Sequence, residues 1–125
     1  MIYNLLISIF SLTATFGLVP NQPNETCMEC SIYVPNAFSP NADARNDEFF
    51  IHPEATCQFS EFTVQIFDRW GNLLFTSDSP GFSWDGQVNN QDLPQAVYLY
   101  AIQYTLEGGS DSDRETLIGQ LNLIR

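Results

Sequence analysis

Glu61–Ser77 reads E-F-T-V-Q-I-F-D-R-W-G-N-L-L-F-T-S. Its first half alternates: Phe62, Val64 and Ile66 lie on one side of an extended chain, and Thr63, Gln65 and Phe67 on the other. Arg69-Trp70-Gly71-Asn72 then interrupts the pattern with residues suited to a tight turn, Gly71 or Asn72 accepting a positive φ. Leu73–Ser77 resumes the apolar run. Two strands joined by such a turn form an antiparallel hairpin, and this hairpin sets the fold class for the rest of the chain.

The same punctuation recurs on both sides. Downstream, Asp78–Phe82 is a Pro/Gly loop, Trp84-Asp85-Gly86 a tight turn and Asn89-Asn90-Gln91-Asp92 another. Ala96–Thr105 alternates Val97, Leu99 and Ala101 with Tyr98, Tyr100, Ile102 and Tyr104. Glu107–Asp113 is a charged, Gly-containing hairpin tip. Glu115–Arg125 closes the sequence, with Leu117, Leu121 and Leu123 on one face and Ile118 and Ile124 on the other. Upstream, Ser31–Ala37 reads as a first strand ending near Pro35, Phe38–Asp47 as a loop, and Glu48–His52 as a strand stopped by Pro53. About seven short strands without a helical period predict an all-β fold, an antiparallel immunoglobulin-like β-sandwich.

Ile2–Val19 carries no charged side chain. Leu5, Leu6, Ile7, Ile9, Phe10 and Leu12 form an apolar core before small residues ending at Gly17. We read residues 1–17 as a signal peptide that lacks the usual basic start, 18–30 as a Pro/Asn-rich linker and 31–125 as one β domain. Asn4, Ser8, Ser11, Thr13 and Thr15 interrupt the apolar run, which disfavours a membrane anchor of roughly 20 apolar residues.

The 125 residues contain fifteen carboxylates, four arginines and no lysine, a net charge of −11. That balance excludes nucleic acid, whose phosphates require clustered cations. It also disfavours docking on an anionic membrane.

Cys27, Cys30 and Cys57 make an odd count. Cys27-Met28-Glu29-Cys30 has redox-motif spacing, but a β-prone run follows where a helix would be needed. A bridge from Cys30 to Cys57, with Cys27 as the alternative partner, would close a loop of about 27 residues and add about 3 kcal/mol. Catalysis finds no footing. His52 is the only histidine, no serine sits in a Gly-x-Ser-x-Gly elbow, and Cys57 is expected in a bridge. Asn41, Asp43, Asn46 and Asp47 crowd one loop. Their oxygens suit a structural calcium ion, although the spacing is not that of an EF-hand. The same side chains also suit Asx turns, bonding to nearby backbone N–H groups. No other cofactor is expected.

Four segments in order resemble one family. Val34–Phe49 (V-P-N-A-F-S-P-N-A-D-A-R-N-D-E-F), Val64–Phe75 (V-Q-I-F-D-R-W-G-N-L-L-F), Trp84-Asp85-Gly86 and Gly119–Arg125 (G-Q-L-N-L-I-R) are similar to motifs of the gliding-motility-associated C-terminal domain, the type B sorting domain of the type IX secretion system. The resemblance implies a non-enzymatic C-terminal targeting domain. It would be exported to the periplasm, recognised by type IX translocon proteins and carried to the cell surface or medium, with no membrane insertion of the mature domain. By analogy, Trp70, Trp84, Asp85, Gly86 and Arg125 are the candidate recognition residues. Without the resemblance, the residues also fit a small secreted, calcium-stabilised adhesion or carbohydrate-binding sandwich. The family loop commonly carries glycines where this sequence has Ala42 and Ala44. A positive φ at either alanine would cost about 1 kcal/mol.

Overall fold

Nine strands arise where the alternating segments meet a common core. The computed structural model describes residues 30–125. The expected signal peptide (1–17) and all but the last residue of the expected linker (18–30) lie outside the described residues. Strands β1 (Ile32–Tyr33), β2 (Ala37–Phe38), β3 (His52–Pro53), β4 (Phe59–Phe67), β5 (Leu73–Ser77), β6 (Gln87–Val88), β7 (Gln91–Asp92), β8 (Ala96–Leu106) and β9 (Glu115–Leu123) follow in order. A 3-10 turn at Asp111–Asp113 is the only helical element among the described residues.

The long strands build one sheet in the order β2-β9-β8-β4-β5. Neighbours are antiparallel except β2 and β9, which run parallel and pair Ala37 with Asn122 and Phe38 with Leu123. Across the sheet Leu73 lies beside Phe67, Phe67 beside Leu99 and Leu99 beside Gln120. Two small two-stranded sheets, β1-β3 and β6-β7, complete the strands. An isolated bridge joins Phe49 to Trp84, so the loops before β4 and after β5 are stitched to each other.

The core lies between the five-stranded sheet and this irregular layer. Phe62, Val64 and Ile66 of β4, Tyr98, Ile102 and Tyr104 of β8, and Leu121 and Leu123 of β9 form one wall. Phe38, Phe49, Ile51, Phe82 and Trp84 form the other. The first set obeys the two-residue alternation of a strand, as the sequence predicts; the second comes largely from segments outside the long strands. The rings meet tilted or edge-on, Trp84 against Phe38, Phe75 and Tyr98, and Phe49 against Phe38, Phe82 and Tyr100. Burial raises the pKa of Tyr98, Tyr100 and Tyr104. Tyr98 and Tyr104 are buried and Tyr100 packs on Phe49, so the shared tyrosine face is part of the core. Gly119 lies opposite Tyr100 in β9, and a Cβ there would overlap the phenol ring.

The strand count exceeds seven because the segment before β4 is broken. Pro35 divides the expected Ser31–Ala37 strand into β1 and β2, which join different sheets. The expected Glu48–His52 strand contributes the Phe49 bridge and then His52, paired with Tyr33. Pro53 does not stop β3. It sits in it opposite Ile32, in a two-stranded sheet where both strands are edges. The disulfide Cys30–Cys57, with Cα atoms 5.0 Å apart, ties the segment before β1 to the segment before β4.

Candidate recognition site

The motif residues fall into two structures of opposite character. At the β4-β5 hairpin, Asp68 organises the turn. Its Oδ1 accepts from Trp70 N at 2.8 Å and Asn72 N at 2.9 Å, and its Oδ2 accepts from the Asn72 side chain at 2.8 Å. Gly71 adopts a φ of 88°. The bond from the Asn72 side chain, then the backbone N–H groups, hold the Asp68 carboxyl below its ordinary pKa. Trp70 is thereby presented at the tip, 79% exposed, with the Arg69 guanidinium 5.6 Å from its ring centre. Beside it a shallow pocket runs along Leu74, Pro94, Ala96 and Val97.

The Trp84-Asp85-Gly86 turn faces inward. Trp84 is 2% exposed, and its indole Nε1 donates to the Gln87 carbonyl at 3.1 Å. Asp85 is exposed, and its Oδ1 closes an Asx turn on Gln87 N at 3.0 Å. Gly86 has a φ of 78°, and a Cβ there would lie 2.9 Å from Leu123 Cδ1 and 3.3 Å from the Phe38 ring. Trp84 and Gly86 are thus buried and packed into the fold.

Arg125 fastens this turn from outside. Its Nε donates to the Leu93 carbonyl at 3.0 Å, Nη1 to the Pro40 carbonyl at 3.1 Å and Nη2 to the Gly86 carbonyl at 3.4 Å. Its backbone N–H donates to the Gln95 side chain at 3.1 Å, and Asp92 lies 3.8 Å from the guanidinium. One side chain therefore ties the end of β9 to the acidic loop, the W-D-G turn and the approach to β8. Asp85, Asp92, Asp47 and Glu48 rim the shallow groove around it.

The acidic loop is closed by its own side chains. Asp47 Oδ1 accepts from Asn41 N at 3.0 Å and Ala42 N at 2.9 Å, and Oδ2 accepts from Ala44 N at 2.7 Å. Asn41 Oδ1 accepts from Asp43 N at 3.1 Å, and Asp43 Oδ1 from Arg45 N at 2.8 Å. The Asn46 carbonyl accepts from Ser39 N at 2.7 Å. The side chains of three of the four candidate calcium ligands, and the carbonyl of the fourth, thus already receive backbone N–H groups. The Asp47 carboxylate is the acceptor on which the loop's N–H groups converge. Ala42 and Ala44 take φ values of 64° and 66°, so the loop keeps the left-handed backbone that glycine would adopt without strain.

Sequence reasoning missed Asp68, Gln95 and the carbonyl acceptors of Arg125. Asp68 was legible, since an aspartate four residues before Asn72 across a Gly turn is an Asx-turn pattern. The carbonyls were not, because every residue type supplies one.

The CHU_C Type IX secretion signal domain is the family whose model matches, over residues 32–120. The chain belongs to this family. The match begins at β1 and extends into β9, so it covers both turns and the acidic loop. No curated protein matches the sequence. A type IX secretion signal domain is a sorting signal and not a catalytic domain; it implies recognition by the secretion machinery and export to the cell surface or medium. No helix among the described residues is long and apolar enough to cross a membrane.

Proposed function

We propose that this signal domain is a non-enzymatic C-terminal address. It holds a passenger exported to the periplasm until proteins of the type IX translocon bind it, and it accompanies the passenger across the outer membrane. The family match over residues 32–120 carries this reading. The structure supports a division of labour within it. The W-D-G turn, the disulfide and the Arg125 clasp stabilise one shape, and the Trp70 hairpin is the element held out for a partner. An exposed, pre-positioned tryptophan flanked by a cation is the kind of side chain that dominates protein–protein binding energy. Any calcium at Asn41, Asp43, Asn46 and Asp47 would serve structure alone, and a melting point that does not rise with millimolar calcium would remove that role.

The test is a reporter fused ahead of Ser31–Arg125, behind an export signal, in a host with and without a working type IX translocon. The reporter is expected in the medium or on the surface only with both the domain and the translocon. Release that ignores the translocon would refute the proposal.

A further inference from the structure

The pocket beside Trp70 keeps its free polar side chains of one kind. Leu74, Leu93, Pro94, Ala96 and Val97 give it an apolar lining. Four polar side chains also reach it, those of Asp68, Arg69, Trp70 and Tyr98. Two are spent inside the molecule. Asp68 accepts three N–H groups of its own turn, and the Tyr98 hydroxyl donates to the Pro94 carbonyl at 2.7 Å. Among the described residues, the Arg69 guanidinium and the Trp70 indole N–H have no hydrogen-bond or ion-pair partner. Both groups can only donate. A second hollow, reaching Leu99 and Gln120, shares Arg69, Ala96 and Val97 with the first. Arg69 therefore borders two hollows at once.

The sheet around them is uncharged. Across β4, β5, β8 and β9 the only charged residues are Glu61 and Glu115. These pair with Thr105 and Tyr104, at the end of the sheet away from Leu99 and the hairpin. Asp68 is the one carboxylate lining either hollow, and its own N–H donors answer its charge. The net charge of −11 thus lies mostly elsewhere, and at physiological salt a charge beyond about 8 Å is largely screened.

We infer that this site takes an acidic residue of a protein partner. Its carboxylate meets Arg69 and the Trp70 N–H, and its apolar neighbours enter the two hollows. The inference rests on the sorting reading, which supplies the partner: the acidic segment belongs to the type IX translocon protein that binds the domain. Charge and donor type select this ligand over others. A basic segment would set cation against cation at Arg69. A sugar's hydroxyls must donate as well as accept, and the pocket's side-chain acceptors are already engaged. A polyanion such as nucleic acid would meet the remaining carboxylates along its length.

The reporter fusion tests this with four variants of the domain, each exported in hosts with and without the translocon. Arg69→Glu reverses the charge, and Val97→Glu sets a carboxylate where the two hollows join. Each is expected to cut translocon-dependent export about tenfold or more, with the melting temperature within about 2 °C of the wild type. Arg69→Lys keeps the charge and should retain several-fold more export than Arg69→Glu. Thr76→Glu adds the same negative charge to exposed β5, outside both hollows, and should export as the wild type does. If Val97→Glu misfolds, Arg69→Glu decides alone. Wild-type export that needs no translocon would defeat the sorting reading and this inference together. Translocon-dependent export that Arg69→Glu leaves at the wild-type level would overturn this inference and spare the sorting reading. So would a loss in Thr76→Glu as large as that in Arg69→Glu, which would mark general repulsion in place of a site.

Discussion

Trp70 and Trp84 sit in turns built with the same device, an aspartate whose carboxylate accepts backbone N–H groups just downstream, yet one indole is 79% exposed and the other 2%. The difference lies in what the turn faces. The hairpin tip at Asp68–Asn72 lies beside a shallow pocket at the start of β8, with Arg69 over the Trp70 ring and no aromatic wall above it. The W-D-G turn lies over the sheet, where Phe38, Phe75 and Tyr98 enclose the ring and the Phe49 bridge fixes its backbone. A tryptophan beside a turn can thus be a fold determinant or a presented ligand, and its packing partners decide which.

That contrast is sharpest in stability. Trp84→Ala removes the centre of the aromatic wall and is expected to destabilise the domain by about 3–5 kcal/mol, enough to unfold a domain of this size. Trp70→Ala should change stability by less than about 0.5 kcal/mol. Paired urea melts check both, and equal losses would erase the distinction. Next in size is Gly86→Ala, which strains a positive φ and presses on Leu123 and Phe38; a loss of about 2–3 kcal/mol is expected from the same melts. The acidic loop gives an effect of opposite sign. Ala42→Gly and Ala44→Gly relieve left-handed backbone at each site and should each stabilise by about 0.5–1 kcal/mol, read as a rise of a few degrees in melting temperature.

The smallest effect is the pH response of the hairpin. The folded pKa of Asp68 is depressed below 3.8, so its contribution is complete above the unfolded value and lost as pH falls through the folded one. The amide resonances of Trp70 and Asn72 should shift only below about pH 4, ahead of any change at Trp84, whose indole bond goes to a carbonyl that does not titrate. Asp68→Asn should abolish that shift.

Much of the fold was legible before any coordinates. β4, β8 and β9 are long enough for alternation to fix both their identity and their inward faces, and Leu73–Ser77 was placed to the residue as the returning strand of the hairpin. The stretch from Ser31 to Pro53 was not. Its strands are two residues long, so no periodicity can register, and their partners are set by contacts distant in sequence: Phe38 against Leu123, Phe49 against Trp84, and Cys30 bonded to Cys57. The candidate site was legible as a set of residues but not as an arrangement. W-G-N and W-D-G announce turns equally well, and nothing local says which turn will be roofed by the core. Arg125 was named by resemblance, and its clasp on the carbonyls of Pro40, Gly86 and Leu93 emerges only when three loops converge. The cost of a positive φ at Ala42 and Ala44 was legible, but not whether the loop would adopt it; the structure keeps the left-handed backbone, with Asp47 held among the N–H groups of Asn41, Ala42 and Ala44.

The account holds that the buried turn makes the shape and the exposed hairpin is what the secretion machinery reads. Quantifying export of a reporter fused to the domain carrying Trp70→Ala, in a host with the type IX translocon, tests this most directly. The account predicts a domain that melts as the wild type does while several-fold less reporter reaches the surface or medium. Export at the wild-type level from the folded variant would contradict it.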